Sequence, residues 1–541
     1  MKDISSTGSF IDFTLENFIY VDKTEYIPKL VKLKRVFISR PRRFGKSLTL
    51  DTIGTLFEKG VEPYFKDTWI YDKWTEPTYP VFRLSFLNLD NSSLDLFKKQ
   101  LNSIISEFAN KINVKGYVKK TEPEDSILSL LEKLEEETRQ IVILIDEYDY
   151  QLTSNINNDE LYKQFQQKIK RIYANIKDKF AIKFLGITGV TRLKDVESFS
   201  VGSDIRDITN SSAYSQMIGF TRDEIKKFYI DYLKLAASYE NNCNVDEVTD
   251  TQIESLLDRL AQNYDGYCFD EFYKKKVFST WSVNSFFQSI VENKFVFFDE
   301  YWYDNGGLPS ILVNYLKTHE LNIFEYLDKD KFLKVSSDDF KNPTALTTIN
   351  QNVLMCQTGY LTLRSDLKKS STVLLGIPNG EIYKALNRLL ANNIFKGKAD
   401  VTDDQGKNLL EEGTVDDIIN LFNRALNSVS YDNYPIVSES SVQNMLKLYL
   451  LGAHQEVLSE VHEAKGRADL IVNTDIRRIV FEFKYAQNES EAKTKLSEAV
   501  EQIKSRDYGN ILPKKHELLR IAAVFNADPK VRAFTENQIV P

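Results

Sequence analysis

The sequence predicts an α/β fold with more than one domain, and three features lead to this prediction. Two apolar runs, 141–145 and 182–187, each end in polar residues, as strands of a parallel sheet buried on both faces do. A third run, 36–39, leads into a Gly-Lys-Ser turn and then into apolar residues at helical spacing. Residues 440–541 combine a helix with several strand-like runs, which indicates a second, smaller domain.

Length and composition limit the class of protein. The chain has 541 residues, room for about three or four domains, with 42% hydrophobic and 27% charged residues, as in ordinary globular proteins. No apolar run approaches the ~20 residues of a membrane helix, and the N-terminus shows no secretory signal, so we expect no membrane partner. Three scattered cysteines without metal-ligand spacing fit a reducing compartment, the cytoplasm. A net charge of −8 means that any nucleic-acid binding would be local.

The turn Gly45-Lys46-Ser47 stands between a strand and a helix, where a phosphate-binding loop would lie. Backbone N–H groups at the helix start would hold phosphate oxygens, the lysine would neutralise their charge, and the serine hydroxyl would bind Mg²⁺. Arg40 occupies the first glycine position of G-x-x-x-x-G-K-[ST] and adopts positive φ less readily than glycine. A basic surface turn that happens to contain Gly-Lys-Ser is the alternative.

Two carboxylates, Asp146 and Glu147, follow the apolar run 141–145. Open α/β sheets bind ligands at the carboxyl ends of their strands. There Asp146 would hold Mg²⁺ through water, and Glu147 would polarise the water that attacks a γ-phosphate. An acidic turn after a strand is common in any protein, but its pairing with the upstream Gly-Lys-Ser turn favours nucleotide hydrolysis.

Polar residues also follow the run 182–187. Thr188 would sense the γ-phosphate, and Arg192 would meet charge that develops on the transferred phosphoryl group. A polar turn that caps the next helix would explain both residues equally well.

Several strings resemble the AAA-ATPase-like family: 20–24, 40–47, 145–149, 189–192, 264–267, 301–302 and 357–362. The resemblance therefore covers nearly the whole chain. It implies a P-loop NTPase core that binds ATP and Mg²⁺, with Arg43 and Phe44 in the phosphate loop, joined to a C-terminal PD-(D/E)XK nuclease-like domain. An arginine at the first glycine position, here Arg40, is typical of this family, whereas Asp204 stands where relatives tend to have Asn.

The middle of the chain, from Thr221 to about Ser430, is mostly helical by pattern. Residues 221–224 form a capping box that opens a helix. Aromatic residues are dense here, which is more typical of a core than of a platform for stacking bases. We interpret this part as a helical lid on the nucleotide domain followed by a helical connector, with a loop at 402–413.

The C-terminal part predicts the element order αβββαβ: a helix at 442–451, strands at 455–461, 467–472 and 478–485, a helix at 490–504 and a strand at 519–525. This is the order of the restriction-endonuclease-like core, and it places Asp469, Glu482 and Lys484 at the catalytic positions of that core. Glu460 is a candidate further ligand, and Gln502 and Tyr508 resemble residues that support such sites.

The spacing of these residues suits metal chemistry. Glu482 and Lys484 are two apart on one strand and so point to the same face. Asp469 on the neighbouring strand can join Glu482 in holding Mg²⁺, and Lys484 can position or activate a hydrolytic water. The alternative is an ordinary cross-strand ion pair.

Residues 440–541 carry 15 Lys and Arg against 14 Asp and Glu, a net charge of +1, which leaves −9 for the rest of the chain. This domain is therefore best able to approach a phosphate backbone.

The predicted domains are a P-loop (AAA-like) NTPase core at 1–220, a helical lid and connector at 221–435, and a PD-(D/E)XK nuclease-like domain at 436–541. ATP binding or hydrolysis would control cleavage or remodelling of DNA, which is favoured over RNA. One alternative is an ATPase whose C-terminal domain binds nucleic acid without cutting it. The other is a nucleotide-gated interaction or signalling protein. The oligomeric state is open, a homo-oligomer included.

Overall fold

The computed structural model describes residues 1–193, 204–302, 310–317, 319, 322–343, 345–395, 404–453, 455–463, 466–506, 508 and 517–541. The chain forms two compact units. The N-terminal unit comprises Met1–Leu321 and Asp330–Ile382, and the C-terminal unit comprises Asn322–Lys329 and Tyr383–Pro541.

The helices up to residue 357 are α1 (Phe10–Leu15), α2 (Ile27–Leu33), α3 (Lys46–Lys59), α4 (Leu94–Lys111), α5 (Pro123–Glu136), α6 (Tyr150–Ser154), α7 (Asp159–Ile176), α8 (Arg222–Phe228), α9 (Ile230–Asn241), α10 (Asp250–Tyr264), α11 (Thr280–Asn293), α12 (Ser310–Leu316), α13 (Ser337–Lys341) and α14 (Gln351–Gln357). The strands of this part are β1 (Arg35–Ser39), β2 (Val81–Ser85), β3 (Ile141–Asp146), β4 (Ile182–Gly189), β5 (Arg206–Asp207), β6 (Leu333–Ser336), β7 (Thr362–Leu363) and β8 (Thr372–Gly376).

The later helices are α15 (Gly380–Ile394), α16 (Asp404–Glu412), α17 (Val415–Asn427), α18 (Glu439–Gly452) and α19 (Glu489–Arg506). The later strands are β9 (Glu456–Glu463), β10 (Gly466–Asn473), β11 (Arg477–Ala486), β12 (Glu517–Asn526) and β13 (Ala533–Ile539).

A five-stranded parallel sheet in the order β2-β3-β4-β1-β5 forms the centre of the N-terminal unit. β3 is buried from Ile141 to Ile145, which explains its unbroken apolar run. Ser39 at the end of β1 lies opposite Gly189 at the end of β4, and the pairing of β3 with β4 runs to Ile145. The three strand ends therefore meet at one edge of the sheet. The predicted α/β fold with a parallel sheet is confirmed.

Helices α8 to α11 pack around an apolar cluster of their own within the N-terminal unit. The predicted capping box is present, because the Thr221 hydroxyl accepts from the Glu224 N–H and the Glu224 carboxylate accepts from the Thr221 N–H. The aromatic side chains of Tyr229, Tyr264 and Phe286 are buried in this cluster. The region thus has the helical core that its aromatic density predicted.

Two details of the middle region differ from the sequence prediction. A three-stranded antiparallel sheet in the order β6-β8-β7 lies within the part expected to be mostly helical. The predicted loop at 402–413 is wrong for Asp404–Glu412, which forms α16 and buries Leu410. Its polar composition hid the apolar spacing that one buried face of a short helix needs.

The C-terminal unit contains a five-stranded mixed sheet in the order β13-β12-β11-β10-β9. β11 and β12 are parallel, and the other neighbours are antiparallel. α19 packs Ala499 and Ile503 against Ala468 and Val480 of the sheet. The predicted order αβββαβ is confirmed from α18 to β12. The added strand β13 was missed because the polar run Thr535–Gln538 gives it little strand character.

The two units divide the chain differently from the predicted boundaries at 220 and 435. Residues 383–435, assigned to the connector from the sequence, group with the C-terminal unit. Asn423 of α17 exchanges two hydrogen bonds with the backbone of Phe534 in β13, at 3.1 and 2.7 Å. This contact ties the helix to the edge of the C-terminal sheet. Over the described ranges, the chain forms no helix that is long and apolar enough to cross a membrane.

Replacing Gly266 by alanine should destabilise the N-terminal unit more than the same change at Gly60. Both glycines have positive φ, at +95° and +75°, so both alanines are strained, by about 1–3 kcal/mol. A Cβ at position 266 would also lie 2.2 Å from the Pro378 carbonyl oxygen, whereas nothing lies within 4 Å at position 60. Thermal unfolding followed by tryptophan fluorescence measures this unit selectively, because it contains all four tryptophans. Equal shifts in melting temperature for the two variants would contradict the steric explanation.

Candidate functional sites

The Gly-Lys-Ser turn forms a loop around its own lysine. Gly45 precedes α3 with φ +98°, a conformation that glycine adopts without strain. The Lys46 side chain folds back and donates to the carbonyl oxygens of Arg40 and Pro41, at 3.0 and 2.8 Å. Burial lowers the pKa of Lys46, while the carboxylates that follow β3 oppose this shift. The loop thus brings a cation and the N–H groups of a helix start to one place, which suits a phosphate group.

Three of the predicted residues meet at Asp146. The Ser47 hydroxyl donates to Asp146 Oδ2 at 2.5 Å, and the Thr188 hydroxyl donates to the other oxygen of the same carboxylate. The Glu147 N–H donates to Asp146 Oδ1 at 2.9 Å. Hydroxyl and carboxylate oxygens are the ligands that Mg²⁺ prefers, so this cluster could hold the ion at the mouth of the loop.

Glu147 has the features of a group kept ready for a ligand. Its φ of +51° is uncommon for a residue other than glycine. Its Oε2 atom is buried and has no hydrogen-bond partner among the described residues. Burial, and then the charge of Asp146, raise the pKa of Glu147. A carboxylate that lacks donors and is made more basic can accept a proton or a hydrogen bond from a bound water.

Lys46, Ser47 and Glu147 line one cavity of about 530 Å³, a volume in the range of small-molecule sites. Its walls also include parts of the N-terminal segment and of the α8–α11 region. The Thr280 hydroxyl donates to the Arg43 carbonyl oxygen at 2.8 Å, and the Arg43 guanidinium carbon lies 4.2 Å from the centre of the Trp281 ring. The helical region therefore reaches the loop directly.

The contacts of Thr280 and Trp281 with Arg43 were not predicted from the sequence, in which Trp281 is only one of many aromatic residues expected in the core. Arg43 itself has φ +64°, and its Nη1 atom is buried without a hydrogen-bond partner among the described residues. Burial lowers the pKa of Arg43. An unsatisfied guanidinium N–H in this cavity is a donor for an anionic ligand.

Phe44 supports the loop through its packing. Its ring is buried and makes edge contacts with Tyr267, Phe269 and Trp302, at centroid distances of 4.8, 5.5 and 6.1 Å. Two of the strings noted in the sequence, 264–267 and 301–302, thus contribute aromatic rings that fix the shape of the loop.

Arg40, in the first glycine position, is also a structural residue of the loop. It is 1% exposed and donates through Nη1 to the carbonyl oxygens of Ser39 and Thr209, at 2.8 and 2.7 Å. Its guanidinium carbon lies 4.0 Å from the centre of the Phe269 ring. Burial lowers the pKa of Arg40 to about 9. The arginine therefore binds the loop to the segment after β5, a role that glycine could not perform.

The contacts that the structure shows for Arg192 involve residues other than those that meet at Asp146. The Arg192 side chain forms an ion pair with Asp207, and its backbone N–H donates to the Gln357 side chain at 3.3 Å. It lines a different, smaller cavity from the one that contains Lys46. Asp204 is further away still, because it pairs with Arg35 at the opposite end of β1, at 2.8 Å. The phosphoryl role of Arg192 stays a prediction.

In the C-terminal unit, Asp469 docks onto the strand that carries the other two predicted residues. The described pairing of β10 with β11 ends at Leu470 and Phe481. Beyond it, Asp469 Oδ2 accepts the Phe483 N–H at 2.8 Å, so a side chain replaces the next backbone acceptor. The Gln443 side chain of α18 donates to the Asp469 carbonyl oxygen. The Asp469 carboxylate is therefore held beside the positions of Glu482 and Lys484.

Glu482 and Lys484 form a buried ion pair. Lys484 Nζ donates to Glu482 Oε1 at 2.9 Å and to Glu439 Oε1 at 3.3 Å. Glu482 is 0% exposed, and its Oε2 atom has no hydrogen-bond partner among the described residues. Burial, and then the charge of Asp469, raise the pKa of Glu482 to about 7. Burial alone would lower the pKa of Lys484, but the carboxylates of Glu482 and Glu439 outweigh it and raise that pKa.

Glu439 was missed from the sequence. It is the first residue of α18, and an acidic residue in the first turn of a helix is ordinary because it interacts well with the helix dipole. Only the fold brings its carboxylate to Lys484. Glu460, the further candidate, has a side chain outside the described part of the structure.

The donor set of this site fits Mg²⁺. Where side chains are described, no group of three or more His, Cys, Asp or Glu residues forms a metal cluster. Asp469 and Glu482 supply two carboxylates, and Mg²⁺ is commonly bound through one or two carboxylates together with water and substrate phosphates. Glu482 Oε2 has no hydrogen-bond partner among the described residues, and the nearby charge of Asp469 disfavours ionisation of Glu482. A bound cation would offset the repulsion between the two carboxylates and would give Oε2 a partner.

Together these features are those of two classes of domain: a P-loop NTPase-like core, with its Gly-Lys-Ser loop at the carboxyl edge of a parallel sheet, and a nuclease-like mixed sheet with an Asp and Glu-x-Lys site. Comparison with family models agrees. Residues 5–199 match the model of the predicted AAA-ATPase (AAA-ATPase-like) family, and residues 437–534 match the model of the PD-(D/E)XK nuclease superfamily.

One curated relative is the "Uncharacterized protein in vnfD 5'region" of Azotobacter chroococcum mcd 1, which is 25% identical over 539 residues, 95% of this chain and 94% of the relative. Among solved structures, Cdc6p from Pyrobaculum aerophilum matches 66% of this chain and 90% of its own, with 12% identity and a TM-score of 0.23. A similarity at this level does not define a fold, and the fold assigned above stands on the strand order and the family matches.

Metal binding at the C-terminal site should release a proton from Glu482. Because the pKa of Glu482 is raised to about 7, the group is mostly protonated at pH 6 and mostly ionised at pH 8. Binding of Mn²⁺ should therefore release about one proton at pH 6 and close to none at pH 8. Calorimetry in buffers of different ionisation enthalpy measures this number. The measurement uses protein that also carries Asp146→Asn, so that Mn²⁺ binding near Ser47 does not contribute to the proton count.

The Glu482→Gln variant serves as the control for this measurement. It should lose the proton release at pH 6 together with most of the Mn²⁺ affinity. Release of the same number of protons at pH 6 and pH 8 by the parent would contradict the assignment of the raised pKa to a metal ligand.

Proposed function

We propose that this protein binds and hydrolyses ATP with Mg²⁺ in its N-terminal unit and cleaves nucleic acid with Mg²⁺ in its C-terminal unit, with DNA favoured over RNA. The observation that carries the proposal is that two buried carboxylate oxygens, Glu147 Oε2 in one unit and Glu482 Oε2 in the other, have no hydrogen-bond partner among the residues that the structure describes. An unsatisfied buried carboxylate costs stability, so its retention at each site points to a ligand.

In the nucleotide site, the first turn of α3 and Lys46 would hold the β- and γ-phosphates. Bound Mg²⁺ would supply charge neutralisation of these phosphates. Ser47 and Asp146, already joined at 2.5 Å, would orient the ion, and Thr188 would keep the Asp146 carboxylate in place. Glu147 would accept a hydrogen bond from the attacking water, which its raised pKa favours.

In the nuclease site, Asp469 and Glu482 would present oxygen ligands for Mg²⁺, which when bound supplies a Lewis acid for the phosphodiester. Lys484 has a raised pKa and therefore stays protonated at neutral pH. It would act by donating hydrogen bonds that orient the water or the phosphate, and not as the general base. Glu439 positions Lys484 through their contact at 3.3 Å.

A cytoplasmic location is part of the proposal. The three cysteines are free thiols, and burial raises the pKa of Cys268 to about 11 and that of Cys356 to about 12. Free thiols that form no disulfide are typical of a reducing compartment. Assembly into a homo-oligomer stays a prediction.

Lys46→Ala should abolish most ATP binding, because the variant loses the cation at the phosphates. Glu147→Gln should keep ATP binding within a few-fold of the parent and lower hydrolysis by at least about a hundredfold, since it changes only the group that polarises water. Binding of a fluorescent ATP analogue and release of phosphate measure the two properties. Lys59→Ala, at the other end of α3, is the matched control. ATP binding by Lys46→Ala that equals the parent's would rule out a phosphate site at this loop.

Asp469→Asn should reduce metal-dependent cleavage to background while the C-terminal unit stays folded, because it removes a ligand at nearly constant shape. Glu489→Gln makes the same chemical change at an exposed side chain of α19 and should cleave like the parent. The assay incubates plasmid, linear duplex, single-stranded DNA and RNA with Mg²⁺ or Mn²⁺, with and without ATP. A parent that is inert with every metal and substrate would favour a domain that binds nucleic acid without cutting it.

Lys484→Ala is a less clean test than Asp469→Asn. The Lys484 side chain is only 12% exposed and is the ion-pair partner of Glu482, so its removal leaves a carboxylate buried without a counter-charge. Loss of cleavage in this variant has meaning only if its thermal unfolding matches that of the parent.

A further inference from the structure

Arg506 is a cation near the carboxylate site that the mechanism above does not use. It is the last residue of α19 and is half-buried. Its Nη1 atom donates to the Tyr508 hydroxyl oxygen at 2.9 Å. The Tyr508 hydroxyl also donates to the carbonyl oxygen of Arg467, two residues before Asp469 on β10, so the guanidinium lies beside the strand that carries this carboxylate. Hydrogen bonding to Tyr508, and then the charges of Glu482 and Asp469, raise the pKa of Arg506.

Tyr508 fixes the position of this guanidinium. Its ring is buried, and its hydroxyl donates to the Arg467 carbonyl oxygen at 2.7 Å. The Arg520 side chain donates to the Tyr508 carbonyl oxygen, also at 2.7 Å. The tyrosine is thus attached to both β10 and β12, and a long arginine side chain that would otherwise sample many rotamers has a rigid anchor.

Arg506 differs from the other cation of the site in its free donors. Lys484 is engaged by Glu482, Glu439 and the Phe483 carbonyl oxygen. Within the described ranges, Arg506 makes a single hydrogen bond, to Tyr508, and no ion pair, although a guanidinium carries five N–H donors in a planar fork. Such a fork matches two oxygens of a phosphate group.

We propose that Arg506 binds the backbone phosphate next to the one cleaved and that Tyr508 is its positioning residue. This inference rests on the proposed nuclease function of the site. A site that contains Asp469 and Glu482 repels a polyanion wherever a metal does not neutralise it. A fixed cation at the rim compensates this repulsion for the neighbouring phosphate and sets the register of the backbone over the carboxylates.

The test measures binding separately from cleavage. Fluorescence anisotropy with a labelled duplex DNA and a labelled single-stranded RNA, in Mg²⁺ and on the non-cleaving Asp469→Asn background, gives affinity as a function of salt. Arg506→Gln should weaken binding roughly tenfold, as expected for a charge-assisted contact. It should also reduce the slope of log K against log salt by about 0.9 for the duplex or about 0.7 for the single strand.

Three variants separate a specific contact from a change in net charge. Lys504→Gln removes the same charge from an exposed position in the last turn of α19 and should leave affinity and slope nearly unchanged. Arg506→Lys should restore the salt slope but only part of the affinity, because the fork is lost. Tyr508→Phe keeps the ring and should weaken binding less than Arg506→Gln while the slope is retained.

The inference would be overturned if Arg506→Gln and Lys504→Gln changed the affinity equally. It would also be overturned if the Asp469→Asn protein, with Arg506 intact, bound no nucleic acid. If Arg506→Gln weakens binding as expected while the protein with Asp469 intact cleaves nothing with any metal, the phosphate contact stands and the proposed cleavage falls. If the parent cleaves and Arg506→Gln cleaves with the same KM and the same salt dependence, the cleavage stands and the phosphate contact falls.

Discussion

Both sites depend on carboxylates that the fold removes from water without a full set of hydrogen-bond donors. Isolated charges in a protein interior are strongly disfavoured, and a group that cannot find a partner takes up a proton instead. One oxygen of Glu147 and one of Glu482 have no hydrogen-bond partner in the described part of the chain, and the pKa of each group is raised. The folded protein is therefore less stable at these positions than it would be with apolar residues of the same size. A bound cation or an ordered water would remove the deficit.

The supporting structure around each carboxylate is correspondingly rigid. At the N-terminal site, Asp146 is held by two hydroxyls and a backbone N–H, and the loop opposite is fixed by Arg40 and by the rings around Phe44. At the C-terminal site, Asp469 takes the place of a backbone acceptor on β11. These contacts leave little freedom for the acidic side chains to move towards water. Preorganisation of this kind lowers the cost of reorganising when charge develops during a reaction.

The sequence could predict proximity where local order decides it, and it could not do so where tertiary packing decides it. The strand, the glycine and the helix around Lys46 and Ser47 fix their relation locally, and the structure brings Ser47 to Asp146 as expected, while the roles of these residues stay predictions. Glu439 and Thr280 could not be found in this way, since an acidic first turn and a threonine at a helix start are common in any helix. Arg192 and Thr188 both follow the apolar run 182–187 as polar residues, and only the fold shows that Arg192 pairs with Asp207 while Thr188 contacts Asp146.

The helices and strands show the same contrast between what local sequence decides and what tertiary packing decides. Buried strands such as β3 carry an unbroken apolar pattern, so their existence and order were predictable. β13 sits at the edge of its sheet and needs apolar residues at few positions, and α16 needs them on one narrow face. In both cases the pattern was too short to separate from a polar loop. Residues 383–435 group with the C-terminal unit, where long-range contacts such as that of Asn423 with Phe534 leave no trace in composition.

The contacts of the phosphate loop have a consequence for how such a domain can be inherited. The family match ends at residue 199, yet the rings that enclose Phe44 and the hydroxyl that holds the Arg43 carbonyl oxygen come from positions 267–302. A gene fusion that transferred only the matched segment would carry the loop without the residues that shape it, and would expose Arg40 and Phe44 to water. A transferred segment that keeps the present shape of the loop would therefore have to include the helices that follow it, so it would be longer than the segment that the family model matches.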